Sequence, residues 1–395
     1  MTMAKVLSWC CALALVLGGC SLAPPLKVPD VPAGDSYKEL APWTQAQPAD
    51  RLPRDSWWML YDTPEIDDLQ KRLIAGNPTL AAALANYAQA RALSNQARAG
   101  LFPTLGLNAG VSRARESANA PLIGATTPRY YDDNVLGGSV SYELDLWGQI
   151  RNQVRAGEAN AQASAADLEN ARLSLLAQLV DDYVQLRSLD REDAILDDTV
   201  KAYDHALTLT VQRHGAGIAA GLDVAQAQTQ LDAARSEAAQ VLAQRAIMEH
   251  AIAALLGVSA STFSITPAIV AIQLPQIPPG VPTTLLERRP DIAGAQRRMI
   301  AANANIGVAR AAYFPSLTLG GQGGFQSTSF SNWLTAPSTF WAIGPNALLT
   351  VFDGGLRRAQ VAQARAEFDA SAANYRGVAV AAFQQVEDSL ASLDH

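Results

Sequence analysis

The feature that most restricts what this chain can fold into is an internal repeat. Residues 77–107, NPTLAAALANYAQARALSNQARAGLFPTLGL, align without a gap at an offset of 212 on residues 289–319, RPDIAGAQRRMIAANANIGVARAAYFPSLTL. One supersecondary unit is therefore used twice. Each copy places Pro in the first helical turn, Pro78 and Pro290, where its missing N–H costs nothing. Each helix stops at an aromatic–Pro pair, Phe102-Pro103 and Phe314-Pro315.

Beyond each stop the apolar period changes to two. Leu105, Leu107, Ala109 and Val111 oppose Gly106, Asn108, Gly110 and Ser112; Leu317, Leu319 and Phe325 oppose Thr318, Gly320, Gln322 and Gln326. These read as strands with one apolar and one small or polar face. A loop rich in Gly, Ser, Thr, Asn and Pro follows each, at 113–134 and 327–339, and then a second alternating run. In the first copy Val140, Tyr142, Leu144 and Leu146 oppose Ser141, Glu143 and Asp145; in the second, Ile343, Ala347, Leu349 and Val351 mark the run. Trp147-Gly148 and Phe352-Asp353-Gly354-Gly355 close these runs, and long helices begin. The unit is helix, β-hairpin, helix, with hairpins at about 104–147 and 316–352.

The alternation suits either two soluble hairpins or a membrane barrel with lipid outside and a polar lumen. In a barrel Tyr130, Tyr131, Tyr142, Trp147, Phe325, Trp333, Trp341 and Phe352 would supply interfacial girdles. Four strands cannot close alone, because the smallest membrane barrels use about 8 and an open edge in lipid is prohibitively costly. If the strands span a membrane, several chains must share one barrel.

The helical part is equally regular. No proline interrupts Gly148 to His214, a stretch of roughly 100 Å at 1.5 Å per residue. Leu168, Leu175, Leu179, Leu186 and Leu189 step by 7, 4, 7 and 3 along it, a seam for a neighbouring helix. Gly215, Gly217 and Gly221 turn the chain, and a second helix returns from Leu222. Val224, Leu231, Ala238, Arg245 and Ile252 occupy one of its seam positions, with Ala227, Ala234, Val241, Met248 and Leu255 at the other. This is a coiled-coil hairpin, compatible by itself with a dimeric coiled coil as well as with a tube wall. Asp223, at the start of the returning helix, is placed to accept free N–H groups and to favour the helix dipole.

The first 19 residues carry one cation, Lys5, and an apolar run from Val6 to Leu17, the layout of a secretory signal. Leu17-Gly18-Gly19-Cys20 resembles a bacterial lipobox, in which Cys20 would be acylated. The other two cysteines, Cys10 and Cys11, would leave with the signal, so no disulfide framework is expected. Residues 20–56, rich in Pro, read as an anchored strap. Residues 57–270 form the first repeat with its tip at about 213–224, 271–288 a linker, and 289–395 the second repeat. The net charge of −7, with no basic cluster, disfavours nucleic-acid binding.

No catalytic or metal-binding pattern stands out. His205, His214, His250 and His395 have no partner at metal-ligand spacing. Gly320-Gly321-Gln322-Gly323-Gly324 lies within an alternating strand and lacks the lysine and helix of a phosphate loop. Asp181, Asp182, Asp197 and Asp198 read as solvated helix faces. No enzymatic activity and no cofactor are expected.

The doubled unit, the lipobox and several phrases together resemble the TolC-type outer membrane factor family, in particular its lipoprotein branch in tripartite efflux systems. The phrases are Trp57-Trp58, Tyr142 to Gly148 (YELDLWG), Leu285 to Ile292 (LLERRPDI) and Phe352 to Gly355 (FDGG), in the family's order. The resemblance implies a mainly α fold with a small β part: a long-helix coiled-coil tunnel and four membrane strands per protomer, completing a 12-stranded barrel in a homotrimer. It implies outer-membrane lipid, a periplasmic adaptor protein and an inner-membrane pump as partners, and passive export of drugs or other small molecules. The outlet of a protein-secretion system and a nonconducting periplasmic scaffold remain alternatives. The resemblance places the adaptor-contacting tip at Ala216, Gly217, Ile218, Asp223 and Val224. By the same correspondence, about 65 residues carrying a second tip are expected after Val386-Glu387-Asp388-Ser389 and are absent, so no gate residue is assigned there.

Overall fold

The computed structural model describes residues 21–31, 54–117, 129–272 and 289–394. Its elements run α1 (Pro64–Gly76), α2 (Pro78–Ala99), β1 (Thr104–Arg115), β2 (Tyr130–Glu143), α3 (Gln149–Gly215), α4 (Gly221–Leu255), α5 (Pro290–Ala311), β3 (Ser316–Ser327), β4 (Thr339–Leu348) and α6 (Leu356–Asp394). They fall into two compact units. Of the described residues, the first holds 21–31, 87–117, 129–165 and 291–382, and the second holds 54–86, 166–272, 289–290 and 383–394.

In the first unit the four strands form one antiparallel sheet in the order β1-β2-β3-β4. The two hairpins meet along β2 and β3, where Leu136 faces Phe325 and Val140 faces Gly321. Gly324 belongs at this seam because a Cβ there would run into the Leu136 carbonyl and the Gly137 backbone. The outer edges of β1 and β4 have no strand partner among the described residues.

The strands stop at Glu143 and Leu348, short of the alternation in the sequence. A repeated device removes the chain from the sheet. Asp145 accepts the Ile150 and Arg151 N–H groups at 3.0 and 2.9 Å and pairs with the Arg151 guanidinium at 3.0 Å. Asp353 likewise accepts the Gly355 and Arg357 N–H groups and pairs with Arg357. Each carboxylate satisfies free donors at the start of a long helix. Trp147 is not free to serve a girdle: it stacks on Phe314 with centroids 4.6 Å apart and donates to the Pro315 carbonyl at 2.8 Å.

Residues 21–24 cross α3 and α5. Ser21 donates to Asn152 at 2.9 Å, Asn303 to the Pro24 carbonyl at 2.9 Å and Arg310 to the Leu22 carbonyl at 3.2 Å. Beneath them Ala156, Ala159, Ala301 and Ala304 form a small-residue core that lets the helices approach closely.

The second unit is built on a larger core. Leu179, Tyr183 and Leu186 of α3 pack with Ile66, Leu69 and Leu73 of α1 and Ile252 and Leu256 of α4. Every heptad position read along α4 is buried or half-buried, from Val224 to Leu255. Among these side chains lies an ionic network. Arg187, 4% exposed, donates to Asp190 at 2.8 Å, to Glu65 at 2.5 Å and to the Thr266 carbonyl at 2.9 Å. Arg245 reaches the other Asp190 oxygen at 2.7 Å and also pairs with Glu249. Tyr183 donates to Glu65 at 2.6 Å; burial, with that hydrogen bond, pushes its hydroxyl up to about 12.

Burial pushes the Asp190 carboxyl up, but hydrogen bonds from Arg245, the Ala268 N–H and Arg187 outweigh it and hold the group below its ordinary value. Asp182 departs from its reading as a solvated residue. It is 7% exposed, and burial raises its carboxyl, against the hydrogen bond donated by Gln178 at 2.6 Å. Asp181, Asp197 and Asp198 are exposed.

Removing Asp190 takes one carboxylate from each of two buried guanidinium groups, which keep Glu65 and Glu249 as partners, so Asp190→Ala should cost about 1.5–3 kcal/mol, the worth of hydrogen bonds to charged groups. A lowered urea midpoint with an unchanged slope would register it. Because the folded pKa of Asp190 is depressed, its contribution is complete above the unfolded value, about 3.9. It is lost as pH falls through the folded value. The midpoint difference between the native chain and Asp190→Ala should therefore shrink as pH drops below about 4.

Candidate functional site at the helical tip

The antiparallel helices α3 and α4 are joined at one end by the five residues Ala216–Ala220. Asp204–Arg235 at 3.2 Å and Asp190–Arg245 at 2.7 Å tie the pair farther from the turn. α3 ends in a Schellman motif: the Ile218 N–H donates to the Arg213 carbonyl and the Gly217 N–H to the His214 carbonyl, both at 2.9 Å. Gly217 has φ +76°, the left-handed geometry this motif demands, which only glycine adopts without strain. His214 Nδ1 lies 2.8 Å from the Ala219 carbonyl, clasping the far side of the loop to the last turn of α3.

α4 begins with Ala220 as its N-cap. Asp223 accepts the Ala220 N–H at 2.9 Å, while the Asp223 N–H donates to the Ala220 carbonyl at 3.0 Å. This is the acceptor role expected of Asp223 from the sequence, and its charge lies in the first turn, where the helix dipole favours it.

Ala216, Gly217, Ile218, Asp223 and Val224 thus share one turn. The first four are exposed and Val224 is half-buried, opening the seam that continues to Leu231. Sequence reasoning missed Leu222. It is 67% exposed beside Ile218 at 68%, giving the tip two free apolar side chains at the end of a polar hairpin. Its position just before the acidic first-turn residue was the available signal. Cys20, the expected acylation site, lies outside the described residues. Among the described residues no group of three or more His, Cys, Asp or Glu side chains could hold a metal ion, and no helix is long and apolar enough to cross a membrane.

The family model described as outer membrane efflux protein matches this chain over residues 69–258 and 281–395. The chain belongs to the outer membrane efflux protein family. It is 33% identical over 385 residues to outer membrane protein OprJ of Pseudomonas aeruginosa, covering 97% of this chain and 79% of that one. It is 30% identical over 394 residues to the toluene efflux pump outer membrane protein TtgC of Pseudomonas putida, covering 99% and 81%. The solved outer-membrane channel OprN superposes with a TM-score of 0.84 at 31% identity, over 94% of this chain and 83% of that chain. This outer membrane efflux protein therefore has the TolC-type fold, with its sheet as the outer-membrane part. The sheet's apolar face, lined by Leu105, Leu107, Val140, Trp341 and Ile343, belongs toward lipid.

Asp223→Ala leaves the Ala220 N–H without its acceptor and should weaken the tip by about 1 kcal/mol. Amide hydrogen exchange at Ala220 should then accelerate about fivefold, while the Schellman amides Gly217 and Ile218 stay nearly unchanged.

Proposed function

We propose that this outer membrane efflux protein is the outer-membrane conduit of a tripartite efflux pump, three copies pooling their strands into one 12-stranded barrel. It passes drugs or other small molecules outward without doing chemistry on them. The energy comes from an inner-membrane pump, and no cofactor is required.

The observation that carries this reading is the four-stranded sheet whose two edges, β1 and β4, have no strand partner among the described residues. In a membrane each open edge leaves a row of backbone donors and acceptors unsatisfied, so β1 of one copy must pair with β4 of the next. The opposite, polar face of the sheet, with Asn108, Ser139, Ser141 and Gln322, then lines the pore. Efflux of toluene by the relative TtgC supports a small-molecule cargo over a protein one.

In the same reading the periplasmic adaptor meets the tip at Ala216, Gly217, Ile218, Asp223 and Val224, and Cys20 is acylated and anchors the strap to the outer membrane. Residues 57–270 and 289–395 act as the two repeats of each protomer, joined by 271–288.

Purified in detergent, the protein should have the mass of three chains and form conducting channels in planar bilayers. A monomer that gives no conductance would overturn the conduit reading in favour of a nonconducting scaffold. Ile218→Asp should abolish pump-dependent resistance in cells while leaving trimer mass and conductance unchanged; retained resistance would remove the tip from the adaptor contact.

A further inference from the structure

The lipid-facing side of the sheet is not evenly covered. Two adjacent cross-strand rows run Leu105–Val140–Gly321–Ile343 and Leu107–Gly138–Gly323–Trp341. Gly138 and Gly323 lie opposite each other in the middle of the sheet, and Gly321 is the next residue on the same face. The result is a depression of about 700 Å³ with a glycine floor. Leu107 and Trp341 stand on either side, 92% and 79% exposed. Three strand spacings separate their backbones, about 14 Å. The flanking row, Leu136 and Phe325, raises one end, and Val140 with Ile343 raises the other.

Packing within the chain does not explain two of these glycines. At Gly321 a Cβ would press on Val140 Cγ1 at 2.9 Å, so glycine is needed there. At Gly138 the nearest atom to an added Cβ is Leu107 Cδ2 at 3.6 Å, and at Gly323 it is the Phe340 carbonyl oxygen at 3.4 Å, both ordinary contacts. Neither residue has a positive φ. Glycine inside a strand weakens it and marks a place where something else comes close.

We propose that the depression is a binding site for one hydrocarbon chain of an outer-membrane lipid, seated on Gly138 and Gly323 with Trp341 along its flank. The inference rests on the outward orientation of this face. No charged residue lines the depression, so the occupant is an acyl chain and not a headgroup. An unfilled pit would forfeit the dispersion contacts of its floor and walls, whereas a flexible chain lying along the strands restores them.

The test uses the full chain reconstituted in phosphatidylethanolamine–phosphatidylglycerol bilayers, extracted under one fixed delipidating wash and weighed by native mass spectrometry. Gly138→Leu and Gly323→Leu fill the floor, Trp341→Ala removes a wall without adding bulk, and Ala347→Leu places an equally large side chain elsewhere on the face. The native chain and Ala347→Leu should retain a phospholipid that both filled variants lose, and Trp341→Ala should lower its retention several-fold with strand content by circular dichroism unchanged. Equal retention by all variants in protein that has inserted would overturn the site alone. Failure of the native chain to insert would overturn the outward orientation together with it.

Discussion

A sheet that enters a bilayer must satisfy every backbone donor and acceptor within protein, and most of this molecule follows from that constraint. Four strands satisfy three internal ladders and, among the described residues, leave two bare edges, a finished surface only if other copies complete it. The two faces answer to different solvents. One carries Leu105, Leu107, Val140 and Ile343, and the other carries Asn108, Ser139, Ser141 and Gln322. A slip of one residue in any ladder would exchange the faces, so the tight glycine packing of Gly324 on β2 also protects register.

The helical unit solves a different problem. Long Ala-rich helices have few bulky residues with which to specify their alignment, and an Ala–Ala seam tolerates sliding. The Arg187–Asp190–Arg245 network, which reaches Glu65 on α1 and the carbonyls of Ile265 and Thr266, fixes one axial position. Buried ion pairs contribute little net stability compared with apolar packing, but they penalise misalignment heavily because a displaced partner leaves a buried charge unmatched. Alignment at this point sets where the tip ends.

Much of this was legible in the sequence because it is periodic. The helix-to-strand changes at Phe102-Pro103 and Phe314-Pro315, the seam from Val224 to Leu255 and the turn at Gly217 are all local patterns. The capping role of Asp223 is local too. What periodicity could not show was which polar residues are buried. Asp182 and Asp190 sit on the same helix as the exposed Asp181 and Asp197, and Asp190 is enclosed by groups from elsewhere in the chain, Arg245 of α4 and the Ala268 N–H. The ends of β2 and β4 were missed for a similar reason: the alternation continues past them, but Asp145 and Asp353 recruit the chain into helices through contacts that alternation does not encode.

The sequence by itself determined the repeat, the two-faced strands, the helical hairpin and its turn, because each depends on residues close together in the chain. Only the tertiary structure decided how the two copies differ. α2 and α5 share a pattern and a length of 22 residues, yet in α2 only Ser94 is buried, while α5 buries ten residues. α5 is packed against the alanines of α3 and crossed by residues 21–24, which Asn303 and Arg310 hold by their carbonyls. Burial is a property of what arrives from elsewhere in the chain, and two helices of the same length and pattern acquire different surroundings because their neighbours are different.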